Sequence, residues 1–214
     1  MVESALTWSP EAPTSPAARG AVSPAAHLAD RFAAAEVAGP RGVRLREIPF
    51  VPMIGIRVAP ASGSGARIAA RLAASLPTSC GSVIESGGGE HIVWLSPDEF
   101  LIVADRPAAG LVAELVDALD AEPGSVSDLS ANRTTFELAG PSARAVLEKG
   151  CPLDLHPRSF QTGAAFVTNV GAVPVILWKT GPETYRVLPR SSFADFLGRW
   201  LIDAMAEFAA PEVP

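Results

Sequence analysis

The sequence predicts an α+β fold in which antiparallel sheets carry helices packed on one face. Strand-like segments arrive in hairpins bounded by turn residues, which is typical of antiparallel sheets. Amphipathic segments with apolar residues at helical spacing lie between these hairpins. Of the 214 residues, 48% are hydrophobic and 19% are charged, so the chain has enough apolar material for a folded core.

Residues 1–24 are predicted to form a flexible tail, because four prolines among Ala and Ser interrupt helix and strand alike. Residues 25–125 are expected to form a first α+β half. Its elements in order are a short helix within 25–38, an extended segment over 44–58, a helix over 65–76, strands over 91–95 and 99–104, and a helix over 111–119. Pro77 ends the second helix, and Ser96-Pro97-Asp98 joins the two strands as a hairpin. Gly87-Gly88-Gly89 is interpreted as a turn, since a strand follows it where a phosphate loop needs a helix.

Residues 126–214 are expected to form a second α+β half. Strands over 126–130 and 134–139 precede a helix over 141–149, which begins with Pro141 and ends at Lys149-Gly150. Strands over 165–170, 173–179 and 184–188 are predicted to form an antiparallel meander. A long amphipathic helix closes the chain and is expected to be capped by Ser191 or Ser192. Two ferredoxin-like halves fit this order, although no internal repeat proves them.

Charge and composition exclude several classes of function. A net charge of −6 has the wrong sign for binding nucleic acid through its phosphates. The longest apolar run, 172–178, is far too short to span a membrane, and the N-terminus lacks the layout of a secretory signal, so we expect a cytoplasmic protein. Cys80 and Cys151 are expected to be free buried thiols, with a single disulfide as the alternative.

Two polar stretches are the candidate functional residues. Residues 128–135 (DLSANRTT) could place Asp128 and Asn132 on a strand face or in an Asx-type turn, with Arg133 as a fork for a carboxylate or as one half of a surface ion pair. In the second stretch, Asp154 and His156 interrupt an apolar run that begins at Cys151 and Pro152. That stretch is interpreted as a docking loop or an ordinary surface loop. The scattered histidines and cysteines predict neither a metal site nor a nucleophile with its base, so no catalytic, cofactor or metal residue is assigned.

Three runs of residues carry a family resemblance. They are Asp128-Leu-Ser-Ala-Asn-Arg-Thr, Leu138-Ala-Gly-Pro-Ser-Ala and Lys149-Gly-Cys-Pro-Leu-Asp-Leu-His-Pro. Their order and spacing, with Trp94-Leu-Ser-Pro-Asp-Glu-Phe-Leu upstream and Arg190-Ser-Ser-Phe-Ala-Asp-Phe-Leu downstream, resemble the gamma subunit of heterotetrameric sarcosine oxidase. The likeness covers roughly residues 43–205. We call residues 149–157 the motif segment.

The resemblance implies a subunit of a cytoplasmic enzyme that oxidatively demethylates sarcosine to glycine, with formaldehyde or methylenetetrahydrofolate and hydrogen peroxide as further products. It implies alpha, beta and delta subunits as partners, with FAD, FMN, NAD, tetrahydrofolate and zinc in those partners and no cofactor in this chain. It also implies a fold similar to the folate-binding domain of glycine-cleavage aminomethyltransferases. Under this resemblance Asp128, Asn132, Arg133, Cys151, Pro152, Asp154 and His156 are family-motif or interface residues.

The similarity to aminomethyltransferases also predicts that this chain is not itself catalytic. In those enzymes a Thr-Asn pair and a short turn lead to a carboxylate that engages the folate, and Phe166-Val-Thr168-Asn169-Val-Gly171 is similar to that approach. Ala172 and an apolar run follow here, without an acid. The alternatives left open are a stand-alone folate-binding transferase and the same subunit in an oxidase for another N-methyl amine.

Overall fold

A computed structural model describes residues 20–210. Most of the predicted tail over 1–24, namely residues 1–19, therefore lies outside the described residues. After a 3-10 turn, Ala26–Leu28, the first elements are α1 (Ala29–Ala34), β1 (Arg44–Ile48), β2 (Met53–Arg57), α2 (Gly63–Leu72), β3 (Val83–Glu85), β4 (His91–Ser96), β5 (Glu99–Val103), α3 (Ala108–Leu119) and β6 (Ser125–Asp128). The remaining elements are β7 (Thr135–Ala139), α4 (Ala143–Glu148), β8 (Ala165–Val170), β9 (Val173–Gly181), β10 (Thr184–Pro189), a 3-10 turn Ser191–Phe193 and α5 (Ala194–Ala209).

The chain divides into two compact units whose boundaries differ from the expected halves 25–125 and 126–214. Of the described residues, 20–49 and 133–210 form one, the split unit, and 50–132 form the other, the inserted unit. The predicted extended segment over 44–58 is two strands in different sheets, because β1 pairs with β7 while β2 pairs with β5 and β6. Pairing between strands so distant in sequence leaves no local signal from which the boundary could be predicted.

The inserted unit has the βαββαβ connectivity of a ferredoxin-like fold with one additional strand, β3, between α2 and β4. Its antiparallel sheet has the order β3-β4-β5-β2-β6, in which the short edge strand β3 was not predicted. Both helices pack on one face of this sheet, as expected. The core between them consists mainly of Ile54, Ile56, Ile68, Leu72, Ile92, Phe100, Ile102, Leu111 and Leu115. Gly87-Gly88-Gly89 lies in the turn between β3 and β4, so its interpretation as a turn is confirmed.

The split unit has a different topology, and the prediction of a second ferredoxin-like half is therefore wrong. Its antiparallel sheet has the order β1-β7-β10-β9-β8, in which β8, β9 and β10 form the predicted meander. Helices α1, α4 and α5 cover one face, and the core includes Leu28, Phe32, Leu45, Phe136, Leu138, Val146, Leu177, Tyr185, Leu197 and Leu201. Gly198 of α5 allows α1 and the 3-10 turn before it to come close, because a Cβ there would lie 2.7 Å from Leu28 Cδ1 and 3.1 Å from Phe32 Cζ.

Two helix ends differ from the prediction. Ser191 and Ser192 lie in a 3-10 turn and do not cap α5, which has no side-chain cap. Helix α2 begins at Gly63, where the Ser62 hydroxyl accepts a hydrogen bond from Gly65 N at 3.0 Å. Its last residue is Leu72, and the left-handed backbone of the following residue, Ala73, stops the helix well before Pro77. Among residues 20–210, none of the helices is both long and apolar enough to cross a bilayer.

Candidate functional site

The motif segment begins at a close three-way contact in the split unit. Gly171, in the turn between β8 and β9, donates a backbone hydrogen bond to Gly150 O at 3.0 Å. A Cβ on Gly150 would lie 2.6 Å from Trp200 Cζ2 and 2.8 Å from Gly171 N. These distances are well below an ordinary carbon contact. Gly150 is therefore required for the space it leaves, and not for the left-handed backbone expected of a residue that follows a helix.

Lys149 connects the same corner to the last turns of α5. Its Nζ donates a hydrogen bond to Ala204 O and forms an ion pair with Glu207 Oε2 at 3.2 Å. The amine also lies 4.9 Å from the centroid of the Phe208 ring, within the range of a cation–π interaction. A cation at this position also neutralises the partial negative charge of the C-terminal end of α5. The start of the motif segment is thus held by α5 on two sides.

Cys151 and Pro152 follow directly after this contact. Cys151 is half-buried, and its Sγ lies 3.9 Å from Thr168 Oγ1 on β8, while Pro152 is exposed. The thiol therefore faces a hydroxyl, and this contact supplies no base that would activate it as a nucleophile. Cys80 is also free, but it is exposed, so the prediction that both thiols are buried is wrong for Cys80. That cysteine lies in a turn, where nothing covers its side chain.

Asp154 and His156 fold the motif segment onto itself. Asp154 Oδ1 accepts a hydrogen bond from His156 N at 2.9 Å, and its Oδ2 accepts one from the Ser159 hydroxyl at 2.6 Å. These hydrogen bonds, the one from Ser159 first, lower the pKa of Asp154. His156 Nδ1 accepts a hydrogen bond from Arg158 N at 3.2 Å. Both side chains are exposed, and the contacts they make shape the loop between two buried core residues, Leu155 and Phe160.

The other polar stretch adopts the Asx-type turn, one of its two predicted forms. Asp128 Oδ1, at the end of β6, accepts a hydrogen bond from Ser130 N at 2.9 Å. Asn132 is exposed, and its backbone N–H donates to Leu129 O at 2.9 Å. Both residues belong to the inserted unit. Arg133 belongs to the split unit, where its Nη1 donates to Leu188 O at 2.9 Å, so the guanidinium holds a backbone carbonyl of its own chain.

A groove of about 420 Å³ lies between α1 and β1 of the split unit. Glu47 is the carboxylate on its sheet side, and its oxygens accept hydrogen bonds from Ala25 N at 3.1 Å and from the hydroxyls of Ser23 and Thr134, each at 2.5 Å. The carboxylate is thus engaged by its own chain. Over residues 20–210 no three His, Cys, Asp or Glu side chains converge as metal ligands.

Four charged side chains of the described residues are buried, Glu90, Glu137, Lys179 and Arg186, and Glu90 and Lys179 are the most deeply buried of them. Glu90, 3% exposed, accepts hydrogen bonds from the Ser86 hydroxyl and from Arg106 Nε at 2.8 Å, and Arg106 also forms a bidentate contact with Glu114. Lys179, 2% exposed on β9, donates to Phe160 O at 3.1 Å. Burial, with a smaller contribution from the charge of Arg144, lowers the pKa of this amine. Neither group lies in a recognisable local motif, so no sequence signal indicated it.

Comparisons with known proteins agree with the runs identified in the sequence. A family model described as "Sarcosine oxidase, gamma subunit family" matches residues 58–207. The chain is 49% identical over 191 residues to the sarcosine oxidase subunit gamma of Corynebacterium sp. (strain U-96), covering 89% of this chain and 93% of that protein. It shows the same identity and coverage with the sarcosine oxidase subunit gamma of Arthrobacter sp..

Two solved structures resemble the fold. One chain of heterotetrameric sarcosine oxidase from Corynebacterium sp. U-96, in complex with pyrrole 2-carboxylate, superimposes with a TM-score of 0.87 at 48% identity, covering 91% of this chain and 99% of that one. The glycine cleavage system aminomethyltransferase T of Bartonella henselae has a TM-score of 0.59 at 17% identity, covering 84% of this chain and 56% of that one. The latter confirms the predicted similarity of fold. The extent and identity of these matches establish that the chain belongs to the sarcosine oxidase gamma subunit family.

Proposed function

We propose that this chain is the gamma subunit of a cytoplasmic heterotetrameric sarcosine oxidase and supports assembly of that complex. The observation that carries the proposal is the match, at 48% identity and a TM-score of 0.87, to 99% of a chain from a heterotetrameric sarcosine oxidase. So complete a match leaves no part of that chain without a counterpart here. The chain therefore contributes to an oxidoreductase as one of its subunits.

The proposal assigns no chemical step to this chain. Its fold resembles part of an aminomethyltransferase, and the Thr168-Asn169 pair lies near the end of β8. The turn after it consists of Gly171 and Ala172, and β9 follows at Val173, so this turn carries no carboxylate to bind a pterin or to accept a proton. The most polar residues of the motif segment are engaged by their own loop. Both observations favour a structural role.

The chemistry then belongs to the partners. We propose alpha, beta and delta subunits that hold FAD, FMN, NAD, tetrahydrofolate and zinc, and that convert sarcosine to glycine with formaldehyde or methylenetetrahydrofolate and hydrogen peroxide. The family-motif residues Asp128, Asn132, Arg133, Cys151, Pro152, Asp154 and His156 are proposed to shape the surface that the partners contact.

Co-expression with and without this chain tests the proposal. The alpha, beta and delta subunits proposed as partners are produced with an affinity tag on one of them, and the purified mass and the sarcosine-dependent release of hydrogen peroxide are measured. We expect a four-subunit particle with this chain, and incomplete, less active material without it. A folded monomer that binds tetrahydrofolate at micromolar concentration, or transfers a one-carbon group unaided, would contradict the proposal. Turnover of a different N-methyl amine in place of sarcosine would assign the same subunit to another oxidase.

A further inference from the structure

The sheet edges of the described chain differ in how they are protected from pairing with another strand. Of the edge strands, β1 (RLREI) carries three charges, β3 has only three residues, and β6 (SVSD) is short and polar. Strand β8 (AFVTNV) is six residues long and contains no charge, proline or glycine. Charges, prolines and short length are the usual means by which proteins keep an edge from pairing. β8 lacks all three.

The backbone of β8 presents regularly spaced hydrogen-bonding groups along its outer edge. β8 and β9 are joined by a two-residue turn with Gly171 at φ +57°, so the closing pair Val170 and Val173 exchanges hydrogen bonds. The alternation continues along the strand, since Lys179 N donates to Ala164 O at 2.9 Å. Asn169 faces Pro174, which has no N–H to donate. The N–H and C=O groups of Val167 and Asn169 therefore point away from β9.

The side chains and the position of β8 also suit a partner strand. Val167 is 59% exposed, which is the highest exposure of a large apolar side chain on any described strand, and Asn169 is exposed beside it. The end of the strand is fixed by the hydrogen bond from Gly171 N to Gly150 O and by the Trp200 ring, which lies against Gly171. An edge that is already rigid loses little conformational entropy when a second strand binds to it.

We infer that the outer edge of β8 binds an extended, uncharged segment of another oxidase subunit by strand addition, an inference that rests on the proposed function. The backbone N–H and C=O groups of Val167 and Asn169 form the hydrogen bonds to the added strand. Their spacing along the edge matches the spacing of the groups on another strand. Because β8 carries no charge, it offers no ion pair to a partner segment, which favours an uncharged one. A second copy of this chain is a poorer occupant, because an assembly of four different subunits contains only one gamma chain.

Substitutions at two exposed valines test the inference in the co-expressed complex. Val167→Lys places a charge on the β8 edge, whereas Val116→Lys places the same charge on α3 at a valine that is 47% exposed. We expect Val167→Lys to reduce recovery of the four-subunit particle about tenfold, since a lysine on an edge strand opposes pairing. Val116→Lys and the β-compatible Val167→Thr should assemble like the unchanged chain.

Amide hydrogen exchange on the unchanged protein gives a second, independent measurement. Strand addition should slow exchange at Val167 and Asn169 at least tenfold in the complex relative to the full chain alone, because their N–H groups then have partners. Normal assembly of Val167→Lys, or unchanged exchange at these amides within an intact complex, would overturn the inference and leave the proposed function standing. Slowed exchange in a dimer of the chain alone would assign the edge to a second copy. Failure of the unchanged chain to assemble at all would overturn both proposals.

Discussion

Replacing Gly150 by alanine should destabilise the split unit, even though the change adds a single methyl group. The new Cβ would lie 2.6 Å from Trp200 Cζ2 and 2.8 Å from Gly171 N, whereas ordinary contacts are about 3.5–4.0 Å. One neighbour must therefore move by about 1 Å. The indole is large and rigid, and the Gly171 backbone donates the hydrogen bond to Gly150 O, so neither can move without loss. Overpacking of this kind costs about 1–3 kcal/mol.

Urea unfolding of the full chain measures this cost, and Gly110→Ala is the matched control. A Cβ on Gly110 would have no atom outside its own helix within 4 Å, and the residue lies inside α3, where alanine is favoured over glycine by about 1 kcal/mol. We therefore expect the free energy of unfolding to fall for Gly150→Ala and to rise for Gly110→Ala. A Gly150→Ala chain as stable as the unchanged protein would refute the argument that the Trp200 contact requires glycine.

Three further changes test other contacts, each by urea unfolding. Burial raises the pKa of Glu90, but hydrogen bonds from Ser86 and Arg106 outweigh it and leave the pKa below its ordinary value. Glu90→Gln should therefore cost about 2 kcal/mol at pH 7. That cost should shrink as the pH falls through 4.5 and below, because a lowered carboxyl pKa stabilises only above that range. Ser62→Ala should lower the free energy of unfolding by about 1 kcal/mol, because it removes the side-chain cap of α2. Ser62→Asn should keep most of the stability, because asparagine also caps helices. Burial lowers the pKa of Lys179, so the folded chain releases this proton at a lower pH than the unfolded chain does. The unchanged protein should therefore gain stability relative to Lys179→Met as the pH rises toward 10.5, the ordinary pKa of a lysine amine.

The parts of the fold that could be predicted from sequence are those with local signals. The hairpin of β4 and β5, the meander of β8 to β10 and the amphipathic α5 all combine a hydrophobic period with turn residues a few positions away. The pairing of β1 with β7 has no such signal, because register such as Leu45 opposite Leu138 depends on the folded sheet. Strand β3 was missed because three residues are too few to establish an alternation.

The candidate site divides in the same way. The motif segment was identified by its resemblance to the gamma subunit family, and the Asx turn at Asp128 was one of two forms that the residues predicted. It could not predict that Trp200 lies against Gly150, since the two residues come from different elements that meet only in the split unit. The charged cluster of Glu90, Arg106 and Glu114 was equally invisible, because each residue alone resembles an ordinary surface charge.

The contacts of the motif segment tie together several parts of the split unit. Lys149 binds α5, Gly150 allows the close approach of Trp200, and Asp154 closes the loop through Ser159. The same three-way contact fixes the end of β8 through the hydrogen bond between Gly171 and Gly150. A change at Gly150 should therefore disturb the β8 edge as well as the motif segment. If Gly150→Ala assembles less well than its loss of stability explains, the motif segment and the β8 edge are coupled. If its assembly falls only as far as its stability does, they are independent.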